Sequence, residues 1–453
     1  MKQKIVLPLL FIAGIFPRIS VAQQPSSMTL SQAVNIALEK NPQRKAALAE
    51  HHAALAEVKE ARSGFFPRIS FTESAMRGND PVFAFGTRLR EGRFTASDFA
   101  LNRLNNPTPI GDFSSRFSGQ WTIFDSFSSQ LNLRRTRWME QAAQLDLDRA
   151  GQQTIYAVIE AYYNVLLAKK QAQLSEETVH TAEAVMQQSQ SRVDAGTAVE
   201  ADALSAKVLL AERQQELIRA RNNVALEKAQ FNTVLGVDAD TPVEFGDSLT
   251  EHSLDIPALK TLEEQAFKHR PDLLGVAALT SAQRTGVSLA KASFGPRLNA
   301  IGSWQTDAVN FAGNGGNNWV AGAELQIDLF TGGAKLAHLQ HEKAMQERAE
   351  AIKTGAEDNV RLELRRAYYS FDSARQSLDV ARATVSQSDE ALRMMRDRYE
   401  SGLATITELL HTEDAARQSR TTYWEAVCRY STSYAAMEFA AGTLNASSPV
   451  VTQ

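Results

Sequence analysis

The 453-residue sequence contains a single cysteine, Cys428, and none of the common catalytic motifs. An exported chain with one cysteine has no internal disulfide, so other interactions must hold its fold together. The sequence also lacks a phosphate-binding glycine loop before a helix, a His-Glu-x-x-His motif and a Gly-x-Ser-x-Gly motif, which mark nucleotide sites, zinc proteases and serine hydrolases. We therefore predict that the chain is not an enzyme and has no catalytic, cofactor-binding or metal-binding residues.

Long apolar runs are also scarce, and the net charge is small. After the N-terminal segment, no stretch approaches the roughly 18 uninterrupted apolar residues that indicate a transmembrane helix. The formal net charge is −4, which argues against binding to nucleic acid. We expect neither a helical membrane anchor nor a nucleic-acid partner.

The N-terminus has the pattern of a secretory signal. Lys2 and Lys4 precede an apolar run at 5–16, and Ser20-Val21-Ala22 is a small-x-small cleavage site. The apolar run is too short to cross about 30 Å of hydrocarbon as a helix. We predict a signal peptide at 1–22 and an exported mature chain. That chain has no cysteine at the cleavage site that would carry a lipid.

Proline is absent from two long parts of the sequence. None occurs between Pro109 and Pro242, or between Pro296 and Pro449. Because proline interrupts helices, each gap leaves room for very long ones. One glycine in each gap, Gly196 or Gly402, would form the turn of a helical hairpin. The predicted long helices are 126–192, 199–235, 332–398 and 406–441.

Before each hairpin, the apolar residues alternate with polar ones, as in a strand with one apolar face. The clearest case runs from Trp319 to Leu329, where Glu324, Gln326 and Asp328 form the polar row. The predicted strands are 68–76, 113–124, 297–306 and 319–330. A loop at about 77–112 joins the first two strands, and its phenylalanines indicate that it folds back on another part of the chain.

The order of these elements occurs twice. An offset of 229 relates Pro42 to Pro271, and an offset of 206 relates Arg192 to Arg398 and many other late pairs. The change of offset places 23 extra residues in the loop of the first copy. A long internal duplication predicts two equivalent structural repeats. The expected divisions are a first repeat at 23–245, a second at 246–445 and a C-terminal tail at 446–453.

Each predicted strand has about the length of a membrane-spanning β-strand. Four strands cannot close into a barrel, because the smallest such barrels have about eight strands. An open sheet edge in lipid is not viable, since its backbone groups would have no hydrogen-bond partner. Other copies of the chain must therefore complete the sheet.

Several short motifs recur in order in both halves. They are Asn41-Pro42 and Arg270-Pro271, Pro67-Arg68-Ile69 and Pro296-Arg297-Leu298, 121–125 and 329–333, and 192–196 and 398–402. Together with the duplication, they make the chain, from about Leu30 to Gly442, resemble the outer-membrane efflux protein family of TolC-like channels.

The resemblance implies a mainly α fold with a small membrane β part. In a homotrimer, it would form a 12-stranded β-barrel in the outer membrane, continued by a long periplasmic α-helical barrel. It also implies a passive exit duct that works with a periplasmic adaptor protein and an inner-membrane pump of the RND or ABC type. Drug efflux, type I protein secretion and metal-ion efflux share such ducts, and the sequence does not name the substrate.

The resemblance further implies a gate at the periplasmic tip. Glu408 stands where the family has a gate acid, six residues after Gly402, and Asp202 is its equivalent after Gly196. An acid in the first turn of a helix also suits the helix dipole, so a purely structural role is the alternative for both.

Tyr399 matches an aromatic residue of the family's gate lock, and His411 stands where a second acid is expected. The arginine that the family carries two residues after the second turn is replaced by Ala404. The residues that would contact the adaptor are those of the two turns, Arg192, Gly196, Arg398 and Gly402. For the two arginines, capping of a helix C-terminus is the structural alternative.

Two other interpretations remain open at this stage. A purely periplasmic coiled-coil adaptor or rod would also have long helices, but two isolated amphipathic hairpins do not fit it. His338 and His341 share a helix face and suit a metal ion. The sequence shows no third ligand beside them, which favours a solvated face.

Overall fold

A computed structural model gives the fold and describes residues 27–251, 253–311 and 313–452. The predicted signal peptide, 1–22, lies outside the described residues. The predicted fold class is confirmed, because the chain is mainly helical with one small antiparallel sheet. Within the described ranges, no helix is both long and apolar enough to cross a membrane.

The two halves of the chain contain the same series of main elements. The first half consists of α1 (Leu30–Lys40), α2 (Pro42–Ser63), β1 (Arg68–Gly78), α3 (Pro81–Arg90), a short 3-10 helix (Ala96–Phe99), α4 (Leu101–Asn105), β2 (Ile110–Phe124), α5 (Ser128–Asp194) and α6 (Glu200–Leu235). The second consists of α7 (Leu259–His269), α8 (Pro271–Ala292), β3 (Arg297–Ala308), β4 (Gly316–Gln326), α9 (Ala334–Glu400), α10 (Ile406–Ala441) and the short α11 (Pro449–Thr452). Helices α5 and α9 have 67 residues each, and α6 and α10 have 36 each.

The start of the second helix in each half is tied to the end of its long hairpin. Asn41 caps α2 by accepting hydrogen bonds from two backbone N–H groups, and its Nδ2 donates to the Val234 carbonyl at 2.9 Å. At the equivalent position Arg270 is buried, and its Nη1 donates to the Ala440 carbonyl at 3.3 Å and to Glu363 at 2.8 Å. Different side chains thus make the same connection in the two repeats.

The core lies where the short helices pack around the middle of the long ones. Its largest fully buried side chains include Tyr162, Phe231 and Phe371. The Tyr162 hydroxyl donates to Asp247 at 2.6 Å, and the Met28 carbonyl, 3.0 Å away, is an alternative acceptor for the same proton. The aromatic body is therefore buried while its polar end is satisfied.

The four strands form one antiparallel sheet in the order β1-β2-β3-β4. An aromatic row crosses it, since Phe71 pairs with Phe117, Phe117 with Trp304 and Trp304 with Trp319. The first two rings lie 4.8 Å apart and the next two 6.1 Å apart. Because paired residues share a face of a sheet, these four exposed aromatic side chains define one apolar face.

The bounds of the strands differ from those predicted. Strand β4 ends at Gln326 rather than at 330, because its partner β3 begins at Arg297, which pairs with Gln326. Ile327 and Leu329 thus lie beyond the sheet. The chain then turns into α9 through Gly332 and Gly333, both at positive φ.

The predicted loop at 77–112 is partly ordered into secondary structure. Its ends extend β1 and β2, and its middle forms α3, the 3-10 helix and α4. Phe85, Phe94 and Phe99 pack edge-to-face, at 4.7 Å and 5.1 Å between neighbouring rings. At the end of α3, Arg90 Nη1 lies 3.9 Å from Oδ1 of the fully buried Asp307 on the polar face of the sheet. The loop therefore folds back onto that face.

Two glycines with the same backbone conformation allow a comparison of packing. Gly442 has φ +73°, and a Cβ there would lie 2.8 Å from the Arg270 Cα, whereas Gly402 has φ +72° and open space. We expect Gly442→Ala to lower the free energy of unfolding by about 2–4 kcal/mol, from left-handed strain plus overpacking. Gly402→Ala should cost only about 1–2 kcal/mol, from the strain alone. Equal denaturant midpoints for the two variants would contradict this packing.

Candidate functional site at the tips of the helical hairpins

Each long hairpin ends in a tight turn around one glycine. Gly196 and Gly402 both have φ +72°, the left-handed conformation that favours glycine. The Thr197 N–H donates to the Arg192 carbonyl at 2.9 Å, and the Leu403 N–H donates to the Arg398 carbonyl at 2.8 Å. The two turns thus have the same backbone hydrogen bonds and differ in their side chains.

The side chain of Arg192 joins the two tips. Its guanidinium lies over the Tyr399 ring, 4.3 Å from the centroid. Its Nη2 also donates to the Tyr399 carbonyl at 3.0 Å and to the Glu400 carbonyl at 3.3 Å. The guanidinium therefore occupies the C-terminus of α9, on the neighbouring hairpin, where carbonyls have no helical partner and the dipole favours a cation.

The equivalent arginine of the second repeat makes no such connection. Arg398 is exposed, and its Nη2 lies 3.5 Å from the Leu403 carbonyl of its own turn. The duplication placed the two arginines at equivalent positions, but the structure brings only Arg192 together with Tyr399. The side chain of Tyr399 is buried, so this contact lies on the inner side of the tip.

The acid Glu408 takes part in a capping box at the start of α10. The Thr405 N–H donates to its Oε2 at 2.7 Å, and the Glu408 N–H donates to Thr405 Oγ1 at 3.3 Å. The hydrogen bond from the Thr405 backbone, its hydroxyl and the charge of Arg398 lower the pKa of the exposed Glu408. The side chain thus has a structural role and stays charged at neutral pH.

The other two candidates lie nearby on the helices. Asp202 is in the first turn of α6, where the N-cap residue Val199 makes no side-chain capping bond. His411 is exposed, about one turn after Glu408 on α10. Asp202 is half-buried and Glu408 exposed, so the two acids differ in environment although they are equivalent in sequence.

A small apolar cluster holds the tips together behind the turns. Its buried members come from all four long helices: Val185, Ala206, Leu392, Tyr399, Ile406, Leu409 and Ala416. Ala404 packs against this cluster. The position at which the resemblance implied an arginine is thus used here for apolar packing.

Ion pairs also join the two hairpins farther from the turns, beside the apolar cluster. The sequence analysis did not identify them. The buried Arg213 donates to Glu216 at 2.9 Å and 3.0 Å and also contacts Asp414 on α10. Burial opposes its charge, but hydrogen bonds and charges from both acids outweigh this effect and raise the pKa of Arg213. Only the short Arg213–Glu216 spacing was visible in the sequence. Asp414 lies 201 residues away, in a run that reads as a solvated face.

The sequence matches the family of outer membrane efflux proteins over residues 33–237 and 262–443. The match covers most of both repeats and leaves out the segment between them. The chain belongs to the outer membrane efflux protein family. It is therefore an outer-membrane channel protein, and the predicted family and location are confirmed.

Two relatives match along most of their length. Protein CyaE of Bordetella pertussis is 25% identical over 89% of this chain and 82% of its own length. The alkaline protease secretion protein AprF of Pseudomonas aeruginosa is 23% identical over 92% of this chain and 85% of its own.

Solved structures agree on the fold. The CmeC outer membrane channel of Campylobacter jejuni has a TM-score of 0.79 at 16% identity, covering 99% of this chain and 96% of that one.

The contact between the two tips predicts an asymmetry between equivalent arginines. Arg192→Ala removes a cation–π contact and two hydrogen bonds, so the local opening free energy at 399–403 should fall by about 1–2 kcal/mol. Amide exchange there should become about tenfold faster in hydrogen–deuterium exchange. Arg398→Ala is the matched control. Because Arg398 contacts only its own turn, this substitution should leave amide exchange at the opposite turn, around Gly196, unchanged. Equal effects of the two substitutions would show that Arg192 does not join the tips.

Proposed function

We propose that three copies of this chain form a closed duct through the outer membrane, each giving four strands to a 12-stranded barrel. The observation that carries this proposal is the pair of free sheet edges. Among the described residues, β1 pairs only with β2 and β4 pairs only with β3. In lipid the outer edges need partners, and β4 of one copy beside β1 of the next supplies them.

The helices support the same arrangement. The four long helices lie side by side in the order α6, α5, α10, α9, so α6 and α9 are the outer two. Apolar side chains are exposed on these outer helices: Val208, Ile218, Leu226, Ile352, Val380 and Met394. Exposed apolar side chains repeated along a helix indicate a protein contact. Packing of α9 of one copy against α6 of the next would bury them and continue the barrel as a helical tube.

The duct serves, in this proposal, as the passive exit of a tripartite system. A periplasmic adaptor binds around the hairpin tips, through the turns at Gly196 and Gly402, and an inner-membrane pump of the RND or ABC type supplies the energy. Membership of the efflux family supports this function, and it disfavours the alternative of a purely periplasmic adaptor.

One observation favours protein secretion as a second candidate. AprF is named as a secretion protein for alkaline protease, and its match extends over 92% of this chain. Efflux relatives also match, such as the efflux protein BepC of Brucella suis at 22% identity over 78% of the chain. A neighbouring gene for an ATP-driven exporter would favour secretion, and one for a proton-driven pump would favour drug or metal-ion efflux.

The tips form the gate of the duct in this proposal. Arg192 takes over the locking role of the arginine that Ala404 replaces, because it holds the turn of one hairpin against Tyr399 of the other. Three copies would bring Glu408 and Asp202 close to the axis three times each. Like charges near a narrow opening repel one another and attract cations.

The facing of the sheet gives a first test of the barrel. Ala323 lies on the face of the aromatic row, and Glu324 lies on the opposite face, since Ala323 pairs with Ala300 and Glu324 with Asn299. Arginine at the lipid-facing site should cost about 2–4 kcal/mol of barrel stability at mid-membrane. We expect Ala323→Arg to reduce the amount of trimer in outer-membrane fractions, while Glu324→Arg assembles normally. Equal tolerance of both would contradict the facing, and monomers in detergent would contradict the trimer.

The acids at the tip give a test of the gate. Purified channels in a planar bilayer should prefer cations, because charged Glu408 and Asp202 would surround the opening. The double variant Glu408→Gln, Asp202→Asn should reduce that preference. His411→Gln serves as a control on the same helix face and should leave it unchanged at neutral pH. Unchanged selectivity of the double variant would leave Glu408 with its capping role alone and Asp202 as an ordinary acid in the first turn of α6.

A further inference from the structure

We propose that His338, His341 and Glu342 form a binding site for a divalent transition-metal ion at the start of α9. One potential ligand atom from each side chain lies within 4.8 Å of the others. Among the described residues, no other three histidine, cysteine, aspartate or glutamate side chains meet this criterion. The site is far from the hairpin tips in sequence and does not depend on the function proposed for them.

The helix itself brings these side chains together. Residues three and four positions apart lie on one face of an α-helix, so His338 faces both His341 and Glu342. The two imidazole rings are nearly parallel, with an interplanar angle of 12° and 6.4 Å between centroids. Both are exposed, so an ion from solution reaches them directly and keeps water in its remaining positions.

The third ligand, Glu342, was not recognised in the sequence analysis, and the neighbouring helix holds its side chain in place. Glu342 is only 7% exposed, and its Oε2 accepts a hydrogen bond from Gln283 Nε2 on α8 at 2.8 Å. Its Oε1 lies 3.6 Å from His341 Nδ1. A buried carboxylate requires compensation of its charge. One amide supplies part of it, and a bound cation would supply the rest.

A glycine on α8 makes room for this carboxylate. A Cβ at Gly286 would lie 2.6 Å from Glu342 Oε2, so a larger residue would displace the side chain. Gln283 and Gly286 are one turn apart and contact the same carboxylate from α8. Groups that orient a ligand in this way commonly change metal affinity by about 10–100-fold when they are altered.

The donor set indicates which ions would bind. Two imidazole nitrogens and one carboxylate oxygen suit Zn²⁺, with Ni²⁺ and Cu²⁺ as chemically related alternatives. Mg²⁺ and Ca²⁺ prefer sites built from oxygen ligands. A bound ion would also connect α9 to α8 through Glu342 and Gln283, directly below the sheet.

The direct test is titration of the full-length protein, purified without a histidine tag and treated with a chelator, with zinc sulfate in a calorimeter. We expect saturable binding of one Zn²⁺ per chain, unaffected by excess Ca²⁺. His338→Gln and Glu342→Gln each remove a ligand and should weaken binding by at least about tenfold. Gly286→Ala should weaken it by about tenfold without removing any ligand.

His52→Gln is the matched control, because His52 is also an exposed helical histidine beside a second histidine, the half-buried His51 that contacts Glu140. It should bind Zn²⁺ as the wild-type protein does. His338 is exposed, so His338→Gln should retain the unfolding temperature of the metal-free wild type, which keeps the test separate from folding. Binding that is absent, or equal in the wild type and in His338→Gln, would overturn the site. In that case, His341 and Glu342 are only neighbouring polar side chains.

Discussion

The unpaired backbone at the two edges of the four-stranded sheet governs the organisation of this protein. Each edge strand, β1 and β4, has 11 residues, and hydrocarbon offers no hydrogen-bond partner to their outer N–H and C=O groups. No other strand in the described part of the chain pairs with these groups, because the sheet there ends at β1 on one side and at β4 on the other. The proposed assembly of several copies would meet this requirement, because β4 of one copy would pair with β1 of the next.

The duplication supplies matching ends for such an assembly, and each repeat ties the start of its second helix to the end of its own long hairpin. Asn41 and Arg270 stand at equivalent positions, and each bonds a carbonyl near the end of the long hairpin in its own half. Asn41 is a neutral cap, whereas Arg270 is a buried cation that also contacts Asp272 and Glu363. Removal of either acid would leave part of a buried charge unpaired. The second repeat is thus tied by charge where the first is tied by an amide.

The sequence predicted the features that depend on periodicity and on chain breaks. Proline-free segments predicted the long helices to within a few residues, and the repeated glycines predicted the turns. The end of β4 was wrong, because alternation continues through Leu329 although β3 begins only at Arg297 and offers no further partner. The short helices within the 77–112 loop were also not predicted. Phe85 and its neighbours pack on one another without a regular spacing in sequence. Contacts between distant segments, such as Arg213 with Asp414, leave no local pattern at all.

At the tips, the two repeats differ in their side chains and agree in their backbones. The backbones of the two turns are alike, with Gly196 and Gly402 at the same φ, so the symmetric part of the tip is a scaffold. Only the first repeat uses its arginine to reach the other hairpin, and only the second has a capping box at its following helix. Three symmetric copies would therefore repeat an asymmetric unit at the tip, in which one hairpin of each pair is held by the other. Movement of either hairpin alone would break the contact of Arg192 with Tyr399. An adaptor or pump that opens the duct would have to supply the free energy of that contact in each copy.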